Sequence, residues 1–158
     1  MTPTERVFLD AGLFIGALLA DDPRHAEARG IVEAGRRGDL AACTSVGVLA
    51  EVYAALTWVG ALPPHQPDEA ADAVRALTAE PSRLAVLETG LPAGVLMLDL
   101  AERHRLTARR IHDARHAATA LVAGVRRVYT YDRDDWQVFV SDGIEIVGPP
   151  SMLPEPAQ

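Results

Sequence analysis

The chain has 158 residues, of which 49% are hydrophobic and 23% are charged, and this balance predicts one globular domain with a buried core. Its net charge of −7 disfavours non-specific coating of DNA or RNA, although a nuclease can recruit local positive charge through a bound metal ion. The single cysteine, Cys43, excludes an internal disulfide and a CxxC metal or redox motif.

No stretch of the sequence approaches the ~20 consecutive apolar residues that a membrane-spanning helix requires. The apolar stretch 7–20 contains Asp10 near its start and lacks a substantial basic segment before it, so we do not expect a secretion signal. The sequence therefore predicts a cytoplasmic protein that does not associate with the membrane.

In chain order, short apolar runs alternate with segments of helical periodicity. The predicted strands are RVFLD, LAAC, LAVLE, RRVYTY and GIEIV. The predicted helices are AGLFIGALLA, RHAEARGIVEAGRRG, TSVGVLAEVYAALTWVG, DEAADAVRALTAE, PAGVLMLDLAERHRL and the Ala-rich segment headed by Asp113, and DRDDW is predicted to be a turn. Strands separated by helices predict a three-layer α/β/α domain with a mainly parallel central sheet. We assign this domain to residues 1–148 and expect the Pro-rich tail, 149–158, to be loose.

Two acidic residues are predicted at the carboxyl ends of strands, where open α/β sheets bind their ligands. Asp10 ends the first strand, and Asp132 directly follows RRVYTY. Two further acids lie on helices, each beside the apolar stripe rather than on the solvated face: Glu51 is next to Val48, and Asp113 is in line with small residues.

The four carboxylates are predicted to converge at one edge of the sheet. Unneutralised, such groups would repel each other and raise each other's pKa, a conflict that a bound Mg²⁺ or Mn²⁺ would remove. Each acid also has an ordinary interpretation. Asp113 can interact with a helix dipole, Glu51 can be a solvated helix residue, and Asp132 can be a turn former.

A basic segment surrounds Asp113, and four of its residues are predicted to contact phosphate: Arg109, Arg110, Arg115 and His116. Exposed surface charge is the alternative for each arginine, and an exposed helix position is the alternative for His116. His112 and His116 have the spacing of a zinc-binding pair, but an isolated HxxxH is weak support for a zinc site.

The order of these elements resembles the PIN-domain family, in particular VapC-type toxins of bacterial toxin–antitoxin pairs. The matching stretches are VFLDAGLFIGALL, TSVGVLAEVYAAL, IHDARHAATALVAG and VYTYDRDDW, with IEIVGP in the closing strand. The resemblance implies that Asp10, Glu51, Asp113 and Asp132 hold Mg²⁺ or Mn²⁺ for hydrolysis of RNA. It also implies a homodimer and inhibition by a small antitoxin protein.

The sequence departs from the family pattern after the first acid. The family commonly has Thr or Ser there, whereas this chain has Ala11 and Gly12. Thr130 and Ser45, with Thr44, are the hydroxyl residues that we expect to compensate in part. In the last turn, Asp135 is the alternative to Asp132 as the fourth acid.

Two alternatives to a toxin ribonuclease remain open from the sequence. A housekeeping PIN nuclease of RNA maturation would keep the chemistry without an antitoxin. A catalytically degenerate PIN-fold interaction module would keep only the fold, and the missing hydroxyl residue motivates this second alternative.

Overall fold

The computed structural model describes residues 5–157, so the first four positions of the predicted domain and the last position of the predicted tail lie outside it. The described strands are β1 (Val7–Leu9), β2 (Ala42–Ser45), β3 (Ala85–Leu87), β4 (Arg127–Tyr129) and β5 (Glu145–Gly148). The described α-helices are α1 (Ala11–Leu18), α2 (His25–Arg37), α3 (Val46–Thr57), α4 (Pro67–Thr78), α5 (Leu91–Arg103), α6 (Arg110–Val122) and α7 (Arg133–Trp136).

The five described strands form one parallel sheet in the order β3-β2-β1-β4-β5, flanked by the helices. The predicted three-layer α/β/α architecture with a parallel sheet is therefore confirmed. Within residues 5–157, no helix is both long and apolar enough to cross a membrane.

The position of β1 in the sheet determines where the acidic residues meet. From β1 the sheet extends through β2 in one direction and through β4 in the other, which opens a crevice beyond the carboxyl end of β1. In the parallel ladder of β1 and β4, Leu9 pairs with Tyr129. The next residues on the two strands, Asp10 and Thr130, therefore emerge side by side although they are 120 positions apart.

Aromatic and aliphatic side chains from both ends of the chain close the core beneath this crevice. The buried Trp136 ring lies between Phe8 and Phe139, with ring centroids 6.0 Å and 5.9 Å away. Buried aromatic contacts of this kind stabilise the folded state through the area that they bury and through the contacts between ring edges and faces. The core thus fixes the short segment after β4 against β1, the strand that ends at Asp10.

Two local predictions differ from the structure. The DRDDW segment was expected to be a turn, but Arg133–Trp136 form the single helical turn α7, because burial of Trp136 draws the chain inward. The predicted helix TSVGVLAEVYAALTWVG extends past Val59, but α3 ends at Thr57 and Val59 is 86% exposed.

The start of the predicted loose tail is held against the domain. Pro150–Met152 form a 3-10 turn, and the Ser151 hydroxyl and amide donate hydrogen bonds to the Glu27 carboxylate at 2.6 Å and 3.1 Å. Arg133 Nη1 also donates to the carbonyl of Met152 at 2.7 Å. These contacts order a segment that composition alone predicted to be free.

Candidate metal centre

Asp10 lies at the base of the crevice and is 4% exposed. Its Oδ1 accepts a hydrogen bond from the amide of Ala11 at 2.9 Å, which caps α1. Its Oδ2 accepts from the Thr130 hydroxyl at 2.7 Å and from Trp136 Nε1 at 3.0 Å. Three donors therefore hold this carboxylate in one orientation, as hydrogen bonds to charged groups do most strongly.

Thr130 connects the first acid with the last turn. Its hydroxyl donates to Asp10 and accepts from the amide of Asp132 at 2.9 Å. The residue is fully buried, so this link is not open to competing water. Thr130 thus supplies a fixed hydroxyl beside the first acid, in a chain whose Ala11 and Gly12 carry none.

Glu51 enters the same region from α3 and contacts a histidine of α6. Its Oε1 lies 2.8 Å from His116 Nε2, and its side chain is 37% exposed. Partial burial would raise the pKa of Glu51, but the hydrogen bond and charge of His116, with smaller effects of His112 and Arg115, lower it. Glu51 is therefore held in its ionised form.

Asp113 occupies the first turn of α6, on the wall of the same crevice. Burial, together with the charges of Asp10 and Asp135, raises the pKa of Asp113 from 3.8 to about 6, although Arg110 opposes the shift. The pKa of Asp132 is also raised, first by desolvation and then by Asp10 and Asp135. The carboxylates repel one another in this geometry.

The crevice forms a cleft of about 600 Å³. Its lining combines acids with basic side chains: Glu51, Asp113, Asp132, Asp135, Arg109, Arg110 and His112. Asp10, Glu51 and His116 each place one ligand-type atom within 4.8 Å of the other two, and within residues 5–157 they are the one group of His, Cys, Asp or Glu side chains this close. The two carboxylates of this group, Asp10 and Glu51, suit a hard divalent cation, whose charge would relieve the repulsion between the acids.

Arg109 and Arg110 both line the cleft but have different surroundings. Arg109 is exposed, whereas Arg110 Nε lies 3.4 Å from Asp113 Oδ2 and its Nη2 donates to the carbonyl of Asp135 at 2.7 Å. Asp135 is the more peripheral of the two alternative fourth acids, since its side chain is 52% exposed and faces Arg110 at 3.8 Å.

Two of the predicted phosphate-binding residues contact α3 instead of lying free on the surface. His116 is 1% exposed and bonded to Glu51, and Arg115 packs its guanidinium against Gly47, with its Nε buried. Both side chains point into the contact between α3 and α6 because the small residues of α6 let α3 approach. His116 therefore cannot reach a phosphate from its buried position, which corrects the prediction.

Ser45 is the N-cap residue of α3, a position that serine favours. Its hydroxyl accepts from the amide of Val48 at 3.2 Å and caps α3, and Thr44 donates to the carbonyl of Leu9 at 2.9 Å. His112 and His116, whose spacing gave only weak support for a zinc site, also differ in their surroundings, since His112 is exposed whereas His116 is buried.

The sequence reasoning missed two contacts. Trp136 donates to Asp10 across 126 positions, and no local pattern signals that contact. The bond between His116 and Glu51 had a detectable signal, because His116 falls among the alanines of α6, and a buried polar group requires a partner.

The sequence profile of the PIN domain matches residues 7–139, so the chain belongs to the PIN-domain family. A search of curated protein sequences gave no match.

Solved structures similar in fold include VapC20 of Mycobacterium tuberculosis, described as a toxin that cleaves the sarcin–ricin loop. It is 21% identical, with a TM-score of 0.67, and the match covers 90% of this chain and 99% of that chain. FitAcB of Neisseria gonorrhoeae is 16% identical, with a TM-score of 0.61 and coverage of 93% and 99%. DNA-bound VapBC of Salmonella typhimurium is 21% identical, with a TM-score of 0.59 and coverage of 90% and 97%.

Proposed function

We propose that the protein is a metal-dependent endoribonuclease and the toxin of a type II toxin–antitoxin pair, acting in the cytoplasm. The observation that carries the proposal is the cleft at the carboxyl edge of a PIN-domain sheet, which Glu51, Asp113 and Asp132 line. The buried Asp10 is close enough to raise the pKa of both Asp113 and Asp132. Mutually repelling carboxylates at such an edge are a costly arrangement without a cation.

The four acids would hold Mg²⁺ or Mn²⁺, with Asp132 preferred over Asp135 as the fourth. When bound, the ion supplies a coordinated water of lowered pKa and stabilises negative charge on the phosphate. Thr130 and Trp136 orient Asp10 through their hydrogen bonds, and the fixed hydroxyl of Thr130 supports an active site over a degenerate one.

Exposed Arg109 is the best placed of the predicted RNA contacts, because it lines the cleft and is not buried in a helix interface. Arg110 would contribute if phosphate displaced it from the carboxylates. A guanidinium beside a carboxylate-bound cation gives an otherwise acidic protein a local attraction for the RNA backbone.

The cleavage test uses purified, antitoxin-free protein incubated with structured RNAs and Mn²⁺, followed by mapping of the new ends. We expect EDTA to stop cleavage, and Asp10→Asn and Asp113→Asn each to abolish it while the far-UV circular dichroism spectrum is retained. Asp99→Asn, an exposed acid on α5 outside the cleft, is the control and should cut like wild type. If both cleft variants cut at wild-type rates, the nuclease proposal is wrong.

The structures similar in fold include toxin–antitoxin complexes, which supports a small antitoxin partner for this chain. The resemblance to VapC-type toxins implies a homodimer. Expression of the wild-type chain should arrest growth, and co-expression of the small protein encoded beside its gene should restore it. Growth without arrest, combined with RNA cleavage in vitro, would instead support a housekeeping nuclease. Sedimentation of the isolated chain should give twice the mass of one copy.

A further inference from the structure

The contact between Glu51 and His116 joins two helices at the edge of the proposed metal centre. Glu51 lies on α3 and His116 on α6, 65 positions further along the chain, and Oε1 and Nε2 are 2.8 Å apart. The imidazole is 1% exposed, and its ring centroid lies 6.4 Å from that of Phe8. The buried imidazole of His116 therefore holds the partly exposed carboxylate of Glu51 in place.

The surroundings of the ring determine which nitrogen carries the proton. His116 Nδ1 is buried and has no hydrogen-bond partner among residues 5–157. A proton on Nδ1 would be a buried donor without an acceptor, whereas a proton on Nε2 is donated to the Glu51 carboxylate. The geometry therefore places a proton on Nε2, which is donated to Glu51, so that Nε2 has no lone pair left to bind a metal.

A glutamate on a helix has three rotatable side-chain bonds, and fixing them costs conformational entropy. The bond from His116 removes that freedom before any ligand binds. It occupies one acceptor site of Oε1 and leaves the remaining carboxylate lone pairs for a cation. Hydrogen bonds from Thr130 and Trp136 hold Asp10, the other carboxylate of the close group, in the same way.

We propose that His116 is a positioning residue, whose Nε2–H bond to Glu51 Oε1 presets that carboxylate beside Asp10 for a divalent cation. The inference rests on the proposed function, since it assumes that the acidic cleft binds metal. Groups that orient metal ligands typically change metal affinity by about 10- to 100-fold when they are lost.

The test measures Mn²⁺ binding by isothermal titration calorimetry, without RNA. His116→Leu keeps much of the buried volume but removes the donor, and we expect a 10- to 100-fold loss of affinity. His116→Gln returns an amide donor near the position of Nε2 and should restore most of that loss. In a Glu51→Ala background, His116→Leu should cause no further loss, because the two residues act as one unit.

Thr119→Val is the matched control. Thr119 is a buried polar residue on the same helix, with partners at Arg115 and Thr89 rather than Glu51. This variant should lose thermal stability but keep wild-type Mn²⁺ affinity.

Several results would overturn the assignment. Wild-type Mn²⁺ affinity in His116→Leu, with or without a lower Tm, would reduce His116 to a packing residue. Equal loss in folded His116→Leu and His116→Gln would make the imidazole itself a ligand. Failure of the proposed function is distinguishable, because Asp10→Asn would then bind Mn²⁺ like wild type.

Discussion

At the scale of single residues, the site consists of charges that neighbouring groups hold in place. Asp10 has three hydrogen-bond donors, whereas Asp113 has a single arginine at 3.4 Å and several like charges nearby. The first residue is therefore fixed and the second is strained electrostatically. Substitutions at the two kinds of position should have different consequences for the metal-free protein.

Asp113→Asn should make the metal-free protein more stable at neutral pH. In the folded protein the pKa of Asp113 is about 6, above the ordinary aspartate value of 3.8 that applies to the unfolded chain. The folded protein therefore tolerates the protonated carboxyl of Asp113 better than the ionised one. It is relatively most stable below pH 3.8 and loses stability as the pH rises to about 6. Above that window, the ionised carboxylate costs on the order of 3 kcal/mol of folding free energy.

Urea unfolding in EDTA from pH 3.5 to 7.5 measures this difference. The gap between variant and wild type should open between pH 4 and 6 and remain constant above. The exposed control Asp99→Asn should track wild type at every pH. A gap that is absent, or that closes with rising pH, would contradict the electrostatic strain at Asp113.

Thr130→Val should weaken Mn²⁺ binding by about 10- to 100-fold, because it removes the hydroxyl that links Asp10 with the amide of Asp132. Calorimetric titration gives the affinity, and urea unfolding should show a loss of about 1–3 kcal/mol. Thr44→Val is the matched control, since it removes a buried hydroxyl bonded only to the Leu9 carbonyl. Equal Mn²⁺ affinity in the two variants would disprove a role of Thr130 at the site.

At the scale of elements, the position of a helix depends on how closely its residues let it approach the sheet. On α2, Gly35 faces β2, and a Cβ added there would lie 2.8 Å from Ala42 Cβ. Gly30, on the same helix, is exposed and has open space around it. Substitution of Gly30 therefore tests helix propensity alone, whereas substitution of Gly35 also tests the packing of α2 against β2.

Gly35→Ala should destabilise the fold by about 1–3 kcal/mol, because α2 must move away from β2. Gly30→Ala should stabilise it by up to about 1 kcal/mol through helix propensity alone. Urea unfolding of both variants tests the pair. A stabilising Gly35→Ala would mean that α2 does not pack against β2 as closely as described.

At the scale of the whole molecule, a chain of net charge −7 places additional negative charge in one cleft, so cation binding should be coupled to folding. Mn²⁺ at 100 times its Kd should stabilise the native state by about 2.7 kcal/mol. A thermal unfolding series should therefore show a Tm that rises with Mn²⁺ concentration and falls back with EDTA. An equal rise in Asp10→Asn would place the binding elsewhere on the surface.

The sequence by itself determined the class of fold and the edge at which the acids lie. Strands and helices can be predicted from local periodicity, and their alternation predicts a parallel sheet. Because Asp10 and Asp132 each come at the end of a predicted strand, both were predictable at the carboxyl edge of that sheet. The PIN-domain resemblance rests on the same ordered segments, which the family profile also matches over residues 7–139.

Only the tertiary structure decided which side chain meets which. The partners of the acids come from distant segments: Thr130 and Trp136 reach Asp10 across 120 and 126 positions, and His116 reaches Glu51 across 65. Such pairings depend on strand order and on how closely α6 packs against α3, and neither is encoded in local periodicity. For that reason His116, which the sequence predicted to contact phosphate, lies in the core beside the Glu51 carboxylate.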